Sequence, residues 1–252
     1  MPPSPRFANK LAVVTGASTG IGFASAKALI AEGARVIITG QNEQRLATAA
    51  QQLGANAIPV IADVRKLEDL DRLAQRTREL SERVDVLFAN AGLGRFAPLE
   101  HVSEAFFDEV FDTNVKGLFF TIQKLAGLLK QGSSVILNAS AVHAKGAPSS
   151  SLYFATKAAV RSLARTLAAE FGSRGVRVNA LSPGYIITEF QNRTGLPPEA
   201  LDGFIAAVEK NTPLGRVGTV DDVIKAVLFL ASDDSAYMTA ADLVIDGGYM
   251  NV

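Results

Sequence analysis

The chain contains no cysteine and only two histidines, His101 and His143. Without cysteine there is neither a disulfide framework nor thiolate chemistry, a composition that suits a reducing compartment. Two histidines are too few for a typical zinc site, so no metal is expected. Charge of either sign is not in excess either, because 25 basic residues balance 25 acidic ones. No basic stripe interleaved with aromatics occurs, and the electrostatic footprint of a nucleic-acid binder is missing. No stretch approaches the roughly 18 uninterrupted apolar residues of a membrane span. The first residues, Met1-Pro2-Pro3-Ser4-Pro5-Arg6, lack the apolar core of an export signal. The expectation is a soluble, cytoplasmic protein that acts on a small molecule, with neither nucleic acid nor membrane as partner.

What is present is a regular alternation. Short apolar, often β-branched runs occur at Leu11 to Val14, Arg35 to Thr39, Ala57 to Ile61, Val84 to Phe88, Ser133 to Asn138, Val176 to Leu181 and Leu243 to Ile245. Their continuous apolar character is that of parallel strands buried on both faces. Between them, Gly22 to Ala31, Glu43 to Leu53, Leu67 to Leu80, Phe106 to Leu129, Leu152 to Phe171 and Asp221 to Leu230 place apolar residues three and four apart, the spacing of helices. The pattern predicts an α/β fold: one doubly wound, Rossmann-type, mostly parallel seven-stranded sheet with helices on both faces, in a single domain spanning 1–252. No linker or internal repeat divides it. Residues 185–216 break the rhythm, with prolines and glycines scattered among apolar side chains, and are expected to form a lid over a pocket.

Several motifs in this frame bear on chemistry. Thr15-Gly16-Ala17-Ser18-Thr19-Gly20-Ile21-Gly22 follows the first strand and opens the first helix. Glycines there let backbone N–H groups approach a phosphate at the positive end of the helix, and a dinucleotide pyrophosphate is the natural guest. The same glycines also serve a tight strand-to-helix turn without any ligand. Their spacing is not the common Gly-x-Gly-x-x-Gly. At the end of the second strand, where a carboxylate reads the adenosine 2′-hydroxyl, the chain has Thr39-Gly40-Gln41-Asn42. No carboxylate repels a 2′-phosphate and no arginine at the tip clamps one; Arg45, a helical turn later, either reaches back or is solvated. The lean is slightly toward NADP(H) over NAD(H). Asp63 either accepts a hydrogen bond from the adenine amino group or caps the next helix. Tyr153 and Lys157 stand four residues apart, roughly 6 Å along one helix face, which lets an ammonium act on a phenol whose ordinary pKa is about 10. A half-buried tyrosine beside a solvated lysine has the same spacing.

Taken together, Thr15-Gly16-x-x-x-Gly20-x-Gly22, Asp63-Val64, Asn90-Ala91-Gly92, Asn114-Val115-x-Gly117, Ser140, Tyr153-x-x-x-Lys157 and Pro183-Gly184 occur in one register. In this the chain resembles the short-chain dehydrogenases/reductases over essentially its whole length, in particular the compact branch with bacterial secondary-alcohol dehydrogenases and oxoacyl reductases. The resemblance implies hydride transfer between a nicotinamide cofactor and a secondary alcohol or ketone. It makes Tyr153 the general acid/base and Lys157 the residue that lowers its pKa and binds ribose. Ser140 then orients the carbonyl oxygen, and Asn114 interrupts its helix and holds a proton-relay water. It also implies cofactor contacts from Gly16, Ser18, Thr19, Gly20, Ile21, Gly22, Gly40, Gln41, Asp63, Val64, Asn90, Ala91 and Gly92, with Pro183, Gly184, Ile186 and Thr188 at the nicotinamide.

The substrate pocket is expected to be apolar, from Phe96, Val142, Tyr185 and Phe190 with Ile186 and Ile187, which favours bulky or aromatic ketones over sugars. His143 stands where relatives carry a small residue, and either lines the pocket or fills space. Met238-Thr239-Ala240 replaces the usual Thr-Gly pair before the last strand, a change expected in packing rather than chemistry. The Ala-rich face of Ala155, Ala158 and Ala159, with the helix carrying Asn114, implies a two-fold helical interface and a homotetramer. The alternatives are a non-catalytic dinucleotide-binding regulator and a nucleotide-sugar epimerase, for which the C-terminal part is short.

Overall fold

A computed structural model describes residues 5–188 and 198–252. Its sheet has seven strands, β1 (Leu11–Val14), β2 (Arg35–Gly40), β3 (Ala57–Ile61), β4 (Val84–Ala89), β5 (Leu129–Asn138), β6 (Arg177–Pro183) and β7 (Asp242–Ile245). They run in the order β3-β2-β1-β4-β5-β6-β7, and every pairing is parallel. Parallel pairing needs crossovers, and helices on both faces supply them.

Alternate strand residues feed two separate cores. Val13, Ile37, Leu87 and Val135 pack with α3 (Leu67–Leu80), α5 (Gly117–Leu125) and α6 (Ser151–Gly172). Val14, Val36, Phe88 and Ile136 pack on the other face with α1 (Gly20–Ala31), α2 (Glu43–Leu53) and α8 (Val220–Ala231). Helix starts are fixed locally: Asn42 accepts from the Arg45 N–H to begin α2, and Thr219 and Asp222 form a capping box for α8.

The structure departs from the sequence expectations in three places. β3 and β7 are not buried on both faces: they are the sheet's two edges and stand half-exposed, with Pro59 tolerated in β3 because an edge strand has a side free of ladder bonds. The helix expected from Phe106 to Leu129 is broken into α4 (Glu104–Phe111), a π-helical turn (Asp112–Lys116) and α5, and β5 begins at Leu129, four residues before Ser133. Each of the two helices keeps its own apolar spacing, which does not mark the π-helical junction between them. The segment expected to be a lid contains a helix, α7 (Pro198–Asn211), which its prolines disguise because proline is well tolerated at a first helical position. Phe190 and the rest of 189–197 lie outside the described residues. No helix among the described residues is long and apolar enough to cross a membrane.

The strand order reverses between β1 and β4, whose carboxyl ends open a crevice. Open α/β sheets bind ligands at such a point.

Candidate active site

The floor of the crevice is built by the turn from β1 to α1. Gly16 has φ +63°, and a Cβ there would stand 2.8 Å from the Ala91 Cα. At Gly22 a Cβ would stand 2.5 Å from both the Asn90 Nδ2 and the Gly16 carbonyl. Both positions therefore exclude side chains on steric grounds, and the turn is pressed against the end of β4. Thr15 and Asn90 lock the two together. The Thr15 Oγ1 accepts from the N–H groups of Asn90 (3.0 Å) and Ala91 (2.9 Å), while the Asn90 Nδ2 donates to the carbonyls of Thr15 (2.9 Å) and Gly16 (3.2 Å). Thr188, expected at the nicotinamide, lies against this turn, its Cβ 3.7 Å from a Cβ built on Gly20.

At the tip of β2, Gly40 is buried beside Ser18, and Gln41 is exposed. Arg45 is exposed on α2. The guanidinium that does reach the tip belongs to Arg65, whose Nη2 lies 3.4 Å from the Gln41 Oε1 and 2.6 Å from the Asp63 Oδ2. Asp63 thus neither caps a helix nor stands alone: its carboxylate accepts Arg65 side-chain and backbone bonds, which hold it below the usual carboxylate range. Val64 is buried and packs on Gly117.

A second set of residues converges on α6 and the ends of β5 and β6. Lys157 is buried, and its Nζ donates to the Asn138 carbonyl at 2.8 Å. Asn138 donates in turn to the Asn90 Oδ1 at 2.9 Å, so one chain of hydrogen bonds joins the glycine turn to Lys157. The Lys157 Nζ lies 5.6 Å from the centre of the Tyr153 ring. Ser140, buried, hydrogen-bonds the Tyr153 side chain and donates weakly to the Pro183 carbonyl at 3.4 Å. Burial pushes the Tyr153 phenol up to about 12, the Ser140 hydrogen bond pulling the other way, and burial pulls the Lys157 ammonium down to about 8. Gly92 keeps space open here, a Cβ on it falling 3.2 Å from the Asn114 Oδ1 and 3.7 Å from the Lys157 Nζ.

Asn114 sits on the π-helical turn that interrupts its helix. Its side chain is buried, accepting from the Leu93 N–H (2.8 Å) and donating to the Leu93 carbonyl (2.9 Å) and the Thr156 Oγ1 (3.1 Å). It clamps the β4 exit loop to α6.

Among the expected pocket residues, Phe96 packs edge-on against Tyr153, with ring centres 5.4 Å apart. Val142 is half-buried in the turn after Ser140. Tyr185 packs on Phe204 of α7, at 5.3 Å. The Ile186 side chain is buried against Gly218, within the core on the α1, α2 and α8 face. His143 bonds Asp242 through Nε2 at 2.7 Å. The sequence assigned no role to Arg65 or Asn138. Asn138 had a signal, as a polar residue ending an apolar strand where open sheets place their ligands.

The buried polar set fits a dinucleotide. The Asn138 Oδ1 is buried with no partner in the structure, between the glycine turn and a buried ammonium that contacts a carbonyl rather than a carboxylate. A ligand with phosphates and ribose hydroxyls supplies acceptors and donors to such groups. No group of His, Cys, Asp and Glu among the described residues has the arrangement of a metal site.

Comparison with known proteins agrees with this geometry. Residues 16–250 match a family described as enoyl-(acyl carrier protein) reductase. The chain is 42% identical to an oxidoreductase of Sarocladium schorii, asL5, over 98% of each chain. It is 35% identical to galactitol 2-dehydrogenase of Agrobacterium fabrum, over 96% of this chain and 98% of that one. A solved structure described as a putative betaketoacyl-ACP reductase superposes with a TM-score of 0.85 at 38% identity, covering 98% of this chain and all of the other. With the all-parallel sheet and its crevice already in view, these matches place the chain in the short-chain dehydrogenase/reductase family of oxidoreductases.

Proposed function

We propose that the protein is an NAD(P)-dependent alcohol dehydrogenase or ketoreductase, acting on a hydrophobic or aromatic ketone. The observation that carries this reading is the convergence of Ser140, Tyr153 and Lys157 on one buried spot, joined through Asn138 and Asn90 to the glycine turn. A nicotinamide dinucleotide, when bound, supplies the hydride. Gly16 to Gly22 would hold its pyrophosphate, Gln41 and Asp63 its adenosine end, and Lys157 its second ribose. The protein's own task is to hold the carbonyl and move a proton.

Ser140 directs its hydroxyl at the carbonyl oxygen, where negative charge grows during reduction, and Tyr153 gives that oxygen its proton. A phenol at about 12 is a poor donor at neutral pH, so the ammonium of Lys157 has to stabilise the phenolate that remains. Asn114 and Thr156 fix the helix from which both groups project. Phe96 packs edge-on against the Tyr153 ring.

Cofactor preference turns on the tip of β2. The Arg65 guanidinium beside Gln41 favours the 2′-phosphate of NADP(H), while Asp63 holds part of its charge. A homotetramer with a helical two-fold interface fits the apolar groove of Phe111, Val115, Phe119, Phe120 and Leu163. The test of substrate class is NADPH and NADH consumption with a panel of aromatic and bulky aliphatic ketones set against keto-sugars, with polyols in the oxidative direction. Faster turnover of the hydrophobic ketones supports the reading; a clear preference for polyols, the substrate class in the name of the Agrobacterium fabrum relative, contradicts it.

A further inference from the structure

We infer that His143 is a positioning residue that holds the Ser140 loop in place through a carboxylate hub at Asp242; this rests on the reading of Ser140 as the hydroxyl that binds the carbonyl. After Ser140 the chain makes a short 3-10 turn, Ala141–Ala144. In it the His143 N–H donates to the Ser140 carbonyl at 3.1 Å. The His143 ring leaves the turn toward the far edge of the sheet. Its Nε2 meets the Asp242 Oδ2 at 2.7 Å, so Nε2 carries the proton that donates.

Asp242 is the first residue of β7, and three other segments close on it. The Ser182 Oγ donates to its Oδ1 at 2.6 Å, one residue before Pro183, whose carbonyl accepts from Ser140. The Arg161 Nε lies 3.4 Å from its Oδ2, one helical turn beyond Lys157 on α6. Side chains of His143, Asp242 and Arg161 are only 13–14% exposed. A carboxylate so enclosed requires donors, and the two short bonds come from His143 and Ser182. Arg161 does not replace them: its contact is long, and its Nη1 is buried with no partner in the structure. The hub therefore sets the distance between the Ser140 turn, the end of β6 and the helix bearing Tyr153 and Lys157. A small residue at 143 would leave the turn without this tie.

The experiment compares His143→Leu, which fills the volume but cannot donate, with His143→Gln, whose amide can still reach Asp242. Steady-state kinetics on the wild type's best ketone are paired with amide hydrogen exchange of residues 139–147. The expectation for His143→Leu is a kcat lower by about 10- to 100-fold from misplacement of Ser140, with KM for the dinucleotide changed little, and faster exchange in 139–147. His143→Gln is expected to restore most of both. The double variant His143→Leu with Asp242→Asn is expected to lose no more activity than its worse single parent, as coupled residues do. Wild-type kcat in His143→Leu, a His143→Gln as impaired as His143→Leu, or unchanged exchange overturns the inference. If the wild type reduces no carbonyl at all, the reading of Ser140 fails instead. The exchange comparison then still decides the hub, faster exchange in His143→Leu alone supporting it and unchanged exchange refuting it.

Discussion

Burial acts in opposite directions on the two ionisable groups of the site: it disfavours phenolate at Tyr153 and ammonium at Lys157. The folded chain thus holds Lys157 at about 8 against 10.5 for the free group. Folded protein binds fewer protons than unfolded protein between these two values, so this residue's contribution to stability rises with pH across that window. Relative to Lys157→Met, the wild type should gain roughly 3 kcal/mol of stability between pH 7 and 11, measured by denaturant unfolding at each pH. A difference that stays flat with pH contradicts the assigned burial effect. For the proposed reaction, the same value predicts that carbonyl reduction declines above about pH 8, as Lys157 loses its charge. Ala240 shows a different kind of cost. It adopts φ +60°, and a left-handed alanine is unfavourable by about 1–2 kcal/mol. Ala240→Gly should therefore raise the thermal midpoint without altering kcat.

Two elements carry the site's geometry. In the glycine turn, Gly22→Ala would force its Cβ onto a backbone carbonyl and the Asn90 amide. The expected result is weaker dinucleotide binding, read by cofactor fluorescence, with a fold that survives because α1 packs elsewhere through Ala26 and Leu29. The tip of β2 behaves differently. A Cβ at Gly40 meets only ordinary contacts with Ser18 and Leu46 at 3.4–3.7 Å, so Gly40→Asp is spatially tolerable. Its carboxylate should repel a 2′-phosphate and shift the NADPH/NADH ratio of kcat/KM toward NADH; an unchanged ratio contradicts the placement of the ribose site.

The strands and most helices were legible in the sequence because their periodicity is set by burial on two faces, as in β1, α2 and α3, whose limits coincide with the expected ones. The π-helical turn at Asn114 was legible only by resemblance, since apolar residues keep helical spacing within α4 and within α5 and do not mark the junction between them. Helix α7 was hidden by proline, which reads as a breaker until its position in the helix is known. Long-range polar pairs, such as Arg65 at the β2 tip or His143 on Asp242, 99 residues apart, leave no local signal at all.

At the scale of the whole molecule, the two cores lie on opposite faces of the sheet and leave the carboxyl ends of β1, β4, β5 and β6 free to assemble one site. The face of α4, the π-helical turn and α5 carries an apolar surface, with Phe107 and Phe119 exposed. Burying it against a second copy would remove that surface from water. Phe119→Glu should reduce the sedimenting mass to a smaller species if the proposed tetramer uses this face.

In the proposed reaction Tyr153 passes a proton to a carbonyl while a dinucleotide occupies the glycine turn. The most direct measurement is ketone-dependent NAD(P)H consumption by wild type and Tyr153→Phe, alongside dinucleotide titration of both. The expected outcome is turnover in the wild type, a loss of about 10²–10⁴-fold in Tyr153→Phe, and equal dinucleotide affinity. Turnover in Tyr153→Phe equal to that of the wild type, or tight dinucleotide binding by a wild type that consumes no cofactor with any carbonyl, would contradict it.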